Sequence, residues 1–219
     1  MEFDLKNFRT RYQSLAMVLV LENKRSSTST AERPIVDDAK KVEPLKVGNS
    51  IPALTLKNSQ DEKVSLSSLH ADGPVVIVFF RGSWCPFCTR HTQELIKAMP
   101  KIKELGAQLV AISPDNVESS KGNVEKNAIP FPVLSDSNVA AARAFGLAFK
   151  VDDTTIARYK GFGIDLNKAS GLDHHALPVP AVFIVDKAGK IAYTHSDPDY
   201  KKRLDVKTIV EELKKLKSF

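Results

Sequence analysis

Short apolar runs and segments of helical composition alternate along most of this chain. Pro74–Phe80 and Gln108–Ile112 are continuous runs rich in β-branched residues, which is typical of strands buried on both faces of a sheet. Thr89–Leu105 has helical composition and is followed by Gly106, a common helix stop. Pro100 lies inside that segment, and it is expected to kink or shorten the helix.

The other predicted elements continue the alternation of strands and helices. Strands are predicted at Ala53–Leu56, Val64–Leu66, Phe131–Leu134, Ala181–Val185 and Lys190–Thr194. Helices are predicted at Val117–Asn127, Asn138–Phe145 and Asp205–Lys217. The stretch Lys150–Leu177 is interpreted as a loop or insertion. This order predicts an α/β sandwich of thioredoxin type, in which a parallel core is extended by an antiparallel hairpin into a central mixed sheet with flanking helices.

Residues 1–44 are predicted to precede the folded domain. Residues 1–24 are expected to form a helix with one apolar stripe, residues 25–44 a flexible linker, and residues 45–219 the domain. The apolar run Leu15–Leu21 is too short to span a bilayer. Acidic residues before the run disfavour a signal peptide. The helix is expected to pack on the domain or on a second subunit, and a mitochondrial targeting helix is the alternative.

Composition and charge narrow the class of function. With 42% hydrophobic residues among 219, the chain has enough apolar side chains for one well-buried domain. The net charge of +6 comes from lysines spread among acids, without a nucleic-acid-binding signature, so neither nucleic acid nor a membrane is expected as a partner. The two cysteines are too few for a secreted disulfide scaffold. They indicate a reducing compartment, which we expect to be the cytoplasm, and redox or metal chemistry.

The cysteine pair is the strongest chemical signal in the sequence. Cys85 and Cys88 lie between a predicted buried strand and a predicted helix, whose unpaired N–H groups stabilise a thiolate. Pro86 suits the first turn of that helix, and Trp84 directly precedes the pair. We expect Cys85 to be the more exposed cysteine and Cys88 to lie one turn deeper, close enough for a disulfide.

Two other interpretations of the pair stay open. A structural zinc site needs about four ligands, whereas the chain has no second cysteine pair, and His174, His175 and His195 are scattered. Two inert buried cysteines are the other possibility. We therefore predict neither a metal nor an organic cofactor.

Pro180 is a second sign of redox chemistry. It directly precedes the predicted strand Ala181–Val185, whose start faces the cysteine turn in a thioredoxin fold. A cis proline is expected there, and an ordinary proline at the start of a strand is the alternative.

Several short motifs extend the interpretation to a family. Residues 44–217 resemble the peroxiredoxins of the alkyl hydroperoxide reductase and thiol-specific antioxidant type, and within them a branch that carries Cys-x-x-Cys. The motifs are Val47–Pro52, Ile112–Asp115, Phe131–Asp136, Ala144–Leu147 and Phe183–Ile191. Each is weak alone, but their order is specific. The resemblance implies the peroxiredoxin type of the thioredoxin fold.

The chain departs from the family pattern of Pro, three residues, Thr, two residues, Cys. Cys88 stands at the position of the peroxidatic cysteine, Cys85 at that of the threonine and Arg81 at that of the proline. The family's later arginine corresponds to Pro180. Arg81 and Arg90 are expected to compensate by stabilising a thiolate or orienting a peroxide, with a solvated side chain as the alternative for Arg90.

The resemblance implies a thiol-dependent antioxidant peroxidase. One cysteine would reduce a hydroperoxide to become a sulfenic acid, the other would condense with it, and thioredoxin or glutathione would reduce the disulfide. The family alignment expects Cys88 to attack peroxides, and the analogy with thioredoxin expects Cys85 to attack disulfides. His91 is interpreted as a surface residue, with a proton relay as the alternative. A homodimer is expected. The alternative functions are a thioredoxin-like disulfide reductase and a non-catalytic redox sensor or interaction module.

Overall fold

The computed structural model describes residues 33–217, which form a seven-stranded sheet, a separate two-stranded sheet and six α-helices. The strands are β1 Thr55–Asn58, β2 Lys63–Ser65, β3 Val75–Phe79, β4 Gln108–Ser113, β5 Val133–Ser135, β6 Ala148–Lys150, β7 Ala176–Pro178, β8 Ala181–Val185 and β9 Ile191–Ser196. The helices are α1 Pro86–Glu104, α2 Val117–Asn127, α3 Ala140–Ala144, α4 Asp153–Gly161, α5 Leu166–Ser170 and α6 Val206–Lys217. Two short 3-10 helices span Ala39–Lys41 and Leu66–His70.

The main sheet has the strand order β2-β1-β5-β4-β3-β8-β9. Strands β3, β4 and β5 are parallel, whereas β8 pairs antiparallel with β3 and β9 antiparallel with β8. The β1–β2 hairpin extends the other edge through an antiparallel pairing of β1 with β5. The predicted parallel core with its antiparallel hairpin, and the thioredoxin-like α/β fold class, are confirmed.

Strand β3 separates two hydrophobic cores. Val75, Ile77 and Phe79 face the core that contains α3, while Val76 and Val78 face the core under α1 and α6. Successive side chains of a strand point to opposite faces, which explains why this run is apolar throughout. Both cysteines belong to the second core.

Two predictions about helices differ from the structure. Pro100 does not shorten helix α1, which continues through it to Glu104, because Met99 and Ile102 are buried in the core on either side of the proline. The stretch Lys150–Leu177 contains two short helices, each with an aspartate that caps its N-terminus through backbone N–H groups. The glycines and histidines of this stretch obscured that pattern in the sequence.

Residues 33–44, within the predicted linker, lie against the domain. Val36 bridges to Phe149, and the Val36 carbonyl accepts a hydrogen bond of 2.7 Å from the Lys150 N–H. The predicted helix at residues 1–24 and the first part of the linker lie outside the described residues. No helix in the described part of the chain is long and apolar enough to cross a membrane.

Candidate active site

The cysteine pair lies at the junction of β3 and α1. Cys85 is the N-cap residue of α1, Pro86 starts its first turn, and the Cys88 N–H donates to the Cys85 carbonyl at 3.0 Å. Both thiols are free, and the residues are only 1% and 3% exposed. The expectation that Cys85 is the more exposed cysteine was therefore wrong, because both side chains join the core under α1 and α6.

The two sulfurs differ in their electrostatic environment. A hydrogen bond from the Cys88 side chain lowers the pKa of Cys85 to about 6, against the effect of burial and with help from the charges of Arg81 and Arg203. Burial raises the pKa of Cys88 well above its ordinary value, and the neighbouring Cys85 raises it further. The two pKa shifts have opposite directions, so Cys85 is the sulfur of the pair that loses its proton more readily.

Arg81 is a buried cation held among aromatic rings. Its guanidinium donates a hydrogen bond to the Tyr159 hydroxyl. The guanidinium carbon lies 5.2 Å from the ring centroid of Trp84, 5.6 Å from that of Tyr159 and 4.2 Å from that of Tyr200. Cation–π contacts of this kind are stronger when they are shielded from water. Arg81 is therefore a fixed charge close to Cys85, and Trp84 is one of the rings that fix it.

The Arg90 side chain points to solvent and not to the cysteine pair. Its side chain is 81% exposed and its Nε lies 3.5 Å from Glu94 Oε1 one helical turn away. Sequence reasoning instead missed Arg203, which lies between β9 and α6 and places Nη2 3.5 Å from the Cys88 Sγ. Arg203 is preceded by Lys201 and Lys202, so in sequence it looks like part of a solvated basic run.

The loop that carries the pair is anchored by a buried carboxylate. Asp115 Oδ2 accepts hydrogen bonds from the Ser83 N–H at 2.7 Å and from the Ser113 hydroxyl at 3.1 Å. Burial raises the pKa of Asp115 to about 6. Gly82 has φ +144°, and a Cβ there would lie 2.3 Å from Trp84 Nε1. Only glycine fits this tight turn without displacing the tryptophan.

A small cavity is lined in part by Arg203, the residue that contacts Cys88. It measures about 10 Å³, close to the space that one water occupies, and its lining also includes His91, Pro180 and His195. The His91 and His195 Nε2 atoms and the Arg203 Nε are buried and have no hydrogen-bond partner among the described residues. Burial lowers the pKa of His91 to about 4, so this side chain is neutral.

Two sequence predictions at this cavity were wrong. His91 is buried, not on the surface, because it lies on the face of α1 that also carries the buried residues Cys88 and Leu95. The peptide bonds of residues 33–217 include no cis bond, so Pro180 is trans. Its position directly before β8 requires no backbone N–H, and an ordinary trans proline suits it.

The described residues offer no ligand set for the alternative of a zinc site. Among residues 33–217, no three His, Cys, Asp or Glu side chains are grouped so that they could hold a metal ion. A pair of thiols with one lowered pKa and two nearby guanidinium groups can carry out thiol–disulfide and thiol–peroxide chemistry.

Comparison with known proteins places the chain in a family. A family model described as AhpC/TSA matches residues 47–194. Because the match covers more than half of the chain, the chain belongs to the AhpC/TSA family, and the resemblance found in its motifs is confirmed.

Curated relatives match part of the chain. It is 34% identical over 100 residues to the chloroplastic peroxiredoxin Q of Sedum lineare, a match that covers 46% of this chain and 53% of that protein. It is 36% identical over 104 residues to the putative peroxiredoxin bcp of Haemophilus influenzae, which covers 48% of this chain and 66% of that protein. The matched part thus spans about half to two thirds of the length of these relatives.

Solved structures share the fold. The peroxidoxin BcpB from Mycobacterium tuberculosis aligns with a TM-score of 0.61 and 22% identity over 78% of this chain and 98% of that chain. A peroxiredoxin-like protein from Aquifex aeolicus aligns with a TM-score of 0.64 and 21% identity over 85% of this chain and 99% of that one. These alignments support the peroxiredoxin type of thioredoxin-like fold.

Proposed function

We propose that this chain is a thiol-dependent peroxidase that reduces hydroperoxides through Cys85 and Cys88. The observation that carries the proposal is the pair at the start of α1, in which the pKa of Cys85 is lowered to about 6. A thiolate, and not a thiol, is the nucleophile in such chemistry. Membership of the AhpC/TSA family and the peroxiredoxin names of the relatives support the same activity.

The reaction proceeds in two steps on neighbouring sulfurs. The Cys85 thiolate attacks the terminal oxygen of the hydroperoxide, the O–O bond breaks, and the leaving alkoxide takes a proton to become the alcohol, or water. Cys88 then attacks the resulting Cys85 sulfenic acid, and a disulfide forms as water leaves. An external thiol such as thioredoxin or glutathione reduces that disulfide. The lowered pKa favours Cys85 as the first nucleophile, in contrast to the family alignment, which places Cys88 in that role.

A disulfide reductase of thioredoxin type is the second candidate. It is favoured by Cys85 and Pro180, which stand at the positions of the family's threonine and arginine. Exchange with a protein disulfide requires a second sulfur to reach the attacking one, however, and the two cysteines are 1% and 3% exposed. Such burial of the reduced pair admits a small hydroperoxide more easily than a protein disulfide, which favours peroxide reduction. Thioredoxin would reach the oxidised pair only after the contacts of Tyr200 and Arg203 open, whereas glutathione is smaller.

Stopped-flow oxidation tests the proposal. The reduced protein is mixed with hydrogen peroxide or an organic hydroperoxide, and the Cys85→Ser and Cys88→Ser variants are matched controls. We expect rapid thiol loss that disappears in Cys85→Ser and stops at the sulfenic acid in Cys88→Ser. Thiol loss that disappears only in Cys88→Ser would restore the assignment from the family alignment. Loss no faster than that of a free thiol in all three proteins would contradict the peroxidase.

The recycling thiol and the oligomeric state belong to the same proposal. Turnover with thioredoxin and with glutathione, measured side by side after peroxide addition, identifies the electron donor.

We also propose that the chain forms a homodimer. Analytical ultracentrifugation of the reduced and the oxidised protein tests this, and a monomer in both states would contradict it.

A further inference from the structure

A different arginine is the main cationic neighbour of each sulfur. Arg81, two residues after the end of β3, contributes more than Arg203 to the lowered pKa of Cys85. Arg203 approaches from the β9–α6 loop and directs Nη2 at the Cys88 Sγ from 3.5 Å. Its Nη1 donates to the Lys202 carbonyl at 2.8 Å, which holds the guanidinium in place.

In the resting pair Arg203 helps to lower the pKa of Cys85, but its contact with the Cys88 sulfur does not remove the proton from that thiol. Burial and the adjacent Cys85 both keep the proton on Cys88, and Arg203 only partly opposes them. An arginine whose N–H points at a sulfur stabilises the charged form of that sulfur. The arrangement is therefore suited to a thiolate on Cys88 that exists only after the charge on Cys85 has been removed.

Oxidation of Cys85 removes that charge. A sulfenic acid is uncharged at neutral pH, so it no longer repels a negative charge on the neighbouring sulfur. We propose that Arg203 activates Cys88 for disulfide formation, so that oxidation of Cys85 itself makes the second cysteine reactive. The inference rests on the proposed function in that Cys85 is the sulfur oxidised first.

Disulfide formation between Cys88 and the Cys85 sulfenic acid releases one water. Cys88 loses its thiol proton, and its sulfur, stabilised by the Arg203 guanidinium, attacks the sulfur of the Cys85 sulfenic acid. The S–S bond forms as the S–O bond breaks. The hydroxide that leaves combines with the proton from Cys88, so that one disulfide and one water are produced.

Other titratable groups near Cys88 do not replace Arg203. His91 on α1 is neutral, because burial lowers its pKa to about 4. His195 on β9 lines the same cavity as Arg203. Arg81 acts on Cys88 through its backbone, and its guanidinium donates to the Tyr159 hydroxyl. Arg203 is thus the cation that touches the sulfur.

Rapid acid quench followed by mass spectrometry separates the two steps. The reduced full-length protein is mixed with hydrogen peroxide and, in parallel, with methyl methanethiosulfonate, a small reagent that forms a methyl mixed disulfide on Cys85 whether or not the chain reduces peroxides. The variants are Arg203→Met, Arg203→Lys and the control Lys202→Met, which removes an exposed charge from the same loop. Both steps are followed from pH 5 to pH 9.

We expect Arg203→Met to slow closure of the disulfide by about tenfold to hundredfold, the range given by loss of one hydrogen bond to a charged group. The pH at which closure reaches half its maximal rate should rise in the same variant, because Cys88 loses the group that stabilises its thiolate. Formation of the first adduct should slow much less than closure, because Arg203 ranks behind Cys88 and Arg81 among the groups that lower the pKa of Cys85. Arg203→Lys should recover part of the closure rate, and Lys202→Met should close like the parent.

Two outcomes would overturn the inference: closure in Arg203→Met with the parent rate and pH profile, or equal slowing of both steps, which would indicate a general structural role. If the parent does not react rapidly with peroxide but closes the methyl mixed disulfide in an Arg203-dependent manner, the peroxidase proposal fails and the role of Arg203 stands.

Discussion

At the scale of single residues, the charge on Cys85 depends on both the side chain and the backbone of Cys88. The pKa of Cys85 is lowered to about 6, first by the side-chain hydrogen bond from Cys88, next by the Cys88 backbone in the first turn of α1, and then, among charges, by Arg81. We expect the rate of alkylation by iodoacetamide to rise with pH, with its inflection at about 6, and to level off at higher pH. Cys88→Ala should move this inflection upward by about one pH unit or more, the size of shift that loss of a favourable contact produces.

Arg81→Met should move the inflection in the same direction by a smaller amount. Arg90→Met is the matched control, because its side chain is solvated and paired with Glu94, and we expect no change. An inflection near that of a free thiol in the parent protein would contradict the lowered pKa.

Asp115 is a buried residue whose negative charge destabilises the folded state. Burial raises its pKa from 3.8 to about 6, so the folded state binds a proton more tightly than the unfolded state. The stabilisation that this tighter proton binding gives the folded state is complete below about pH 4 and is lost as the pH rises through 6. Asp115→Asn should therefore stabilise the protein at pH 7 by on the order of 1 kcal/mol, measured by urea denaturation.

Asp115→Asn should also make the free energy of unfolding depend less on pH between pH 4 and pH 6. Asp136→Asn is the comparison: Asp136 is also buried with a raised pKa, but its two oxygens accept from the Ala141 and Ala142 N–H groups. An amide keeps only one of these hydrogen bonds, so no stabilisation is expected there. Equal destabilisation of both variants at every pH would contradict the argument.

At the scale of elements, the β3–α1 turn depends on one glycine. Gly82 has φ +144°, and a Cβ there would approach Trp84 Nε1 to 2.3 Å. Gly82→Ala should lower the free energy of unfolding by about 1–3 kcal/mol, the cost of one residue held in an unfavourable backbone conformation. It should also weaken the packing of Trp84 against Arg81, which tryptophan fluorescence reports.

Gly122→Ala provides the control. Gly122 lies within α2, and a Cβ added there meets no atom within 4 Å. This change should stabilise the helix by about 0.5–1 kcal/mol. Similar effects at both glycines would show that the turn does not depend on the conformation of Gly82.

The β9–α6 loop contacts the site through Arg203, at the Cys88 sulfur, and through Tyr200. Tyr200 stacks on Arg81 and packs edge-on against Phe87, with ring centroids 5.6 Å apart. Because the two cysteines are almost completely buried, a bulky reagent needs this loop to move. Tyr200→Ala should speed the reaction with a large aromatic disulfide severalfold more than the reaction with hydrogen peroxide.

Phe162→Ala is the control for that prediction, because Phe162 is an exposed aromatic residue at the end of α4. It should leave the ratio of the two rates unchanged. An unchanged ratio in Tyr200→Ala would mean that Tyr200 does not limit access to the sulfurs.

At the scale of the whole molecule, the site combines parts that the sequence reveals to very different degrees. Cys85, Cys88 and Arg81 are neighbours along the chain, so a local motif and a buried strand were enough to find them. Arg203 and Tyr159 come from segments distant in sequence. Their positions follow from the packing of the β9–α6 loop and α4, which no local pattern encodes.

The main sheet was also predictable, because its strands leave a local pattern in the sequence. The strands β3 and β4 are buried on both faces, and their continuous apolar runs indicate this in the sequence. The turn before β9 contains Gly189, which adopts a positive φ that glycine tolerates. Helices α4 and α5 are short, and their order depends on capping aspartates and a few buried contacts such as Ile156 and Leu166. Such contacts become visible only when the rest of the fold is present.

The last prediction concerns the start of the compact unit. Glu32–Phe219 forms one compact unit, and within it Val36 bridges to Phe149 while Ile35 and Val42 pack on the core. Residues 1–31 lie outside this unit, so their deletion should leave its melting temperature and the proposed peroxide turnover unchanged. Deletion of residues 1–44 should lower the melting temperature by about 5 °C or more, because it removes this apolar contact.

The same pair of deletions separates the enzyme from the alternative of a redox sensor. An enzyme core keeps its thiol turnover without residues 1–31, since both cysteines and both arginines lie in the unit that begins at Glu32. A sensor that acts through its N-terminal extension would keep the oxidation of Cys85 and Cys88 but lose its response to a partner. Loss of peroxide turnover itself on deletion of residues 1–31 would contradict both the boundary and the argument that the site is complete without them.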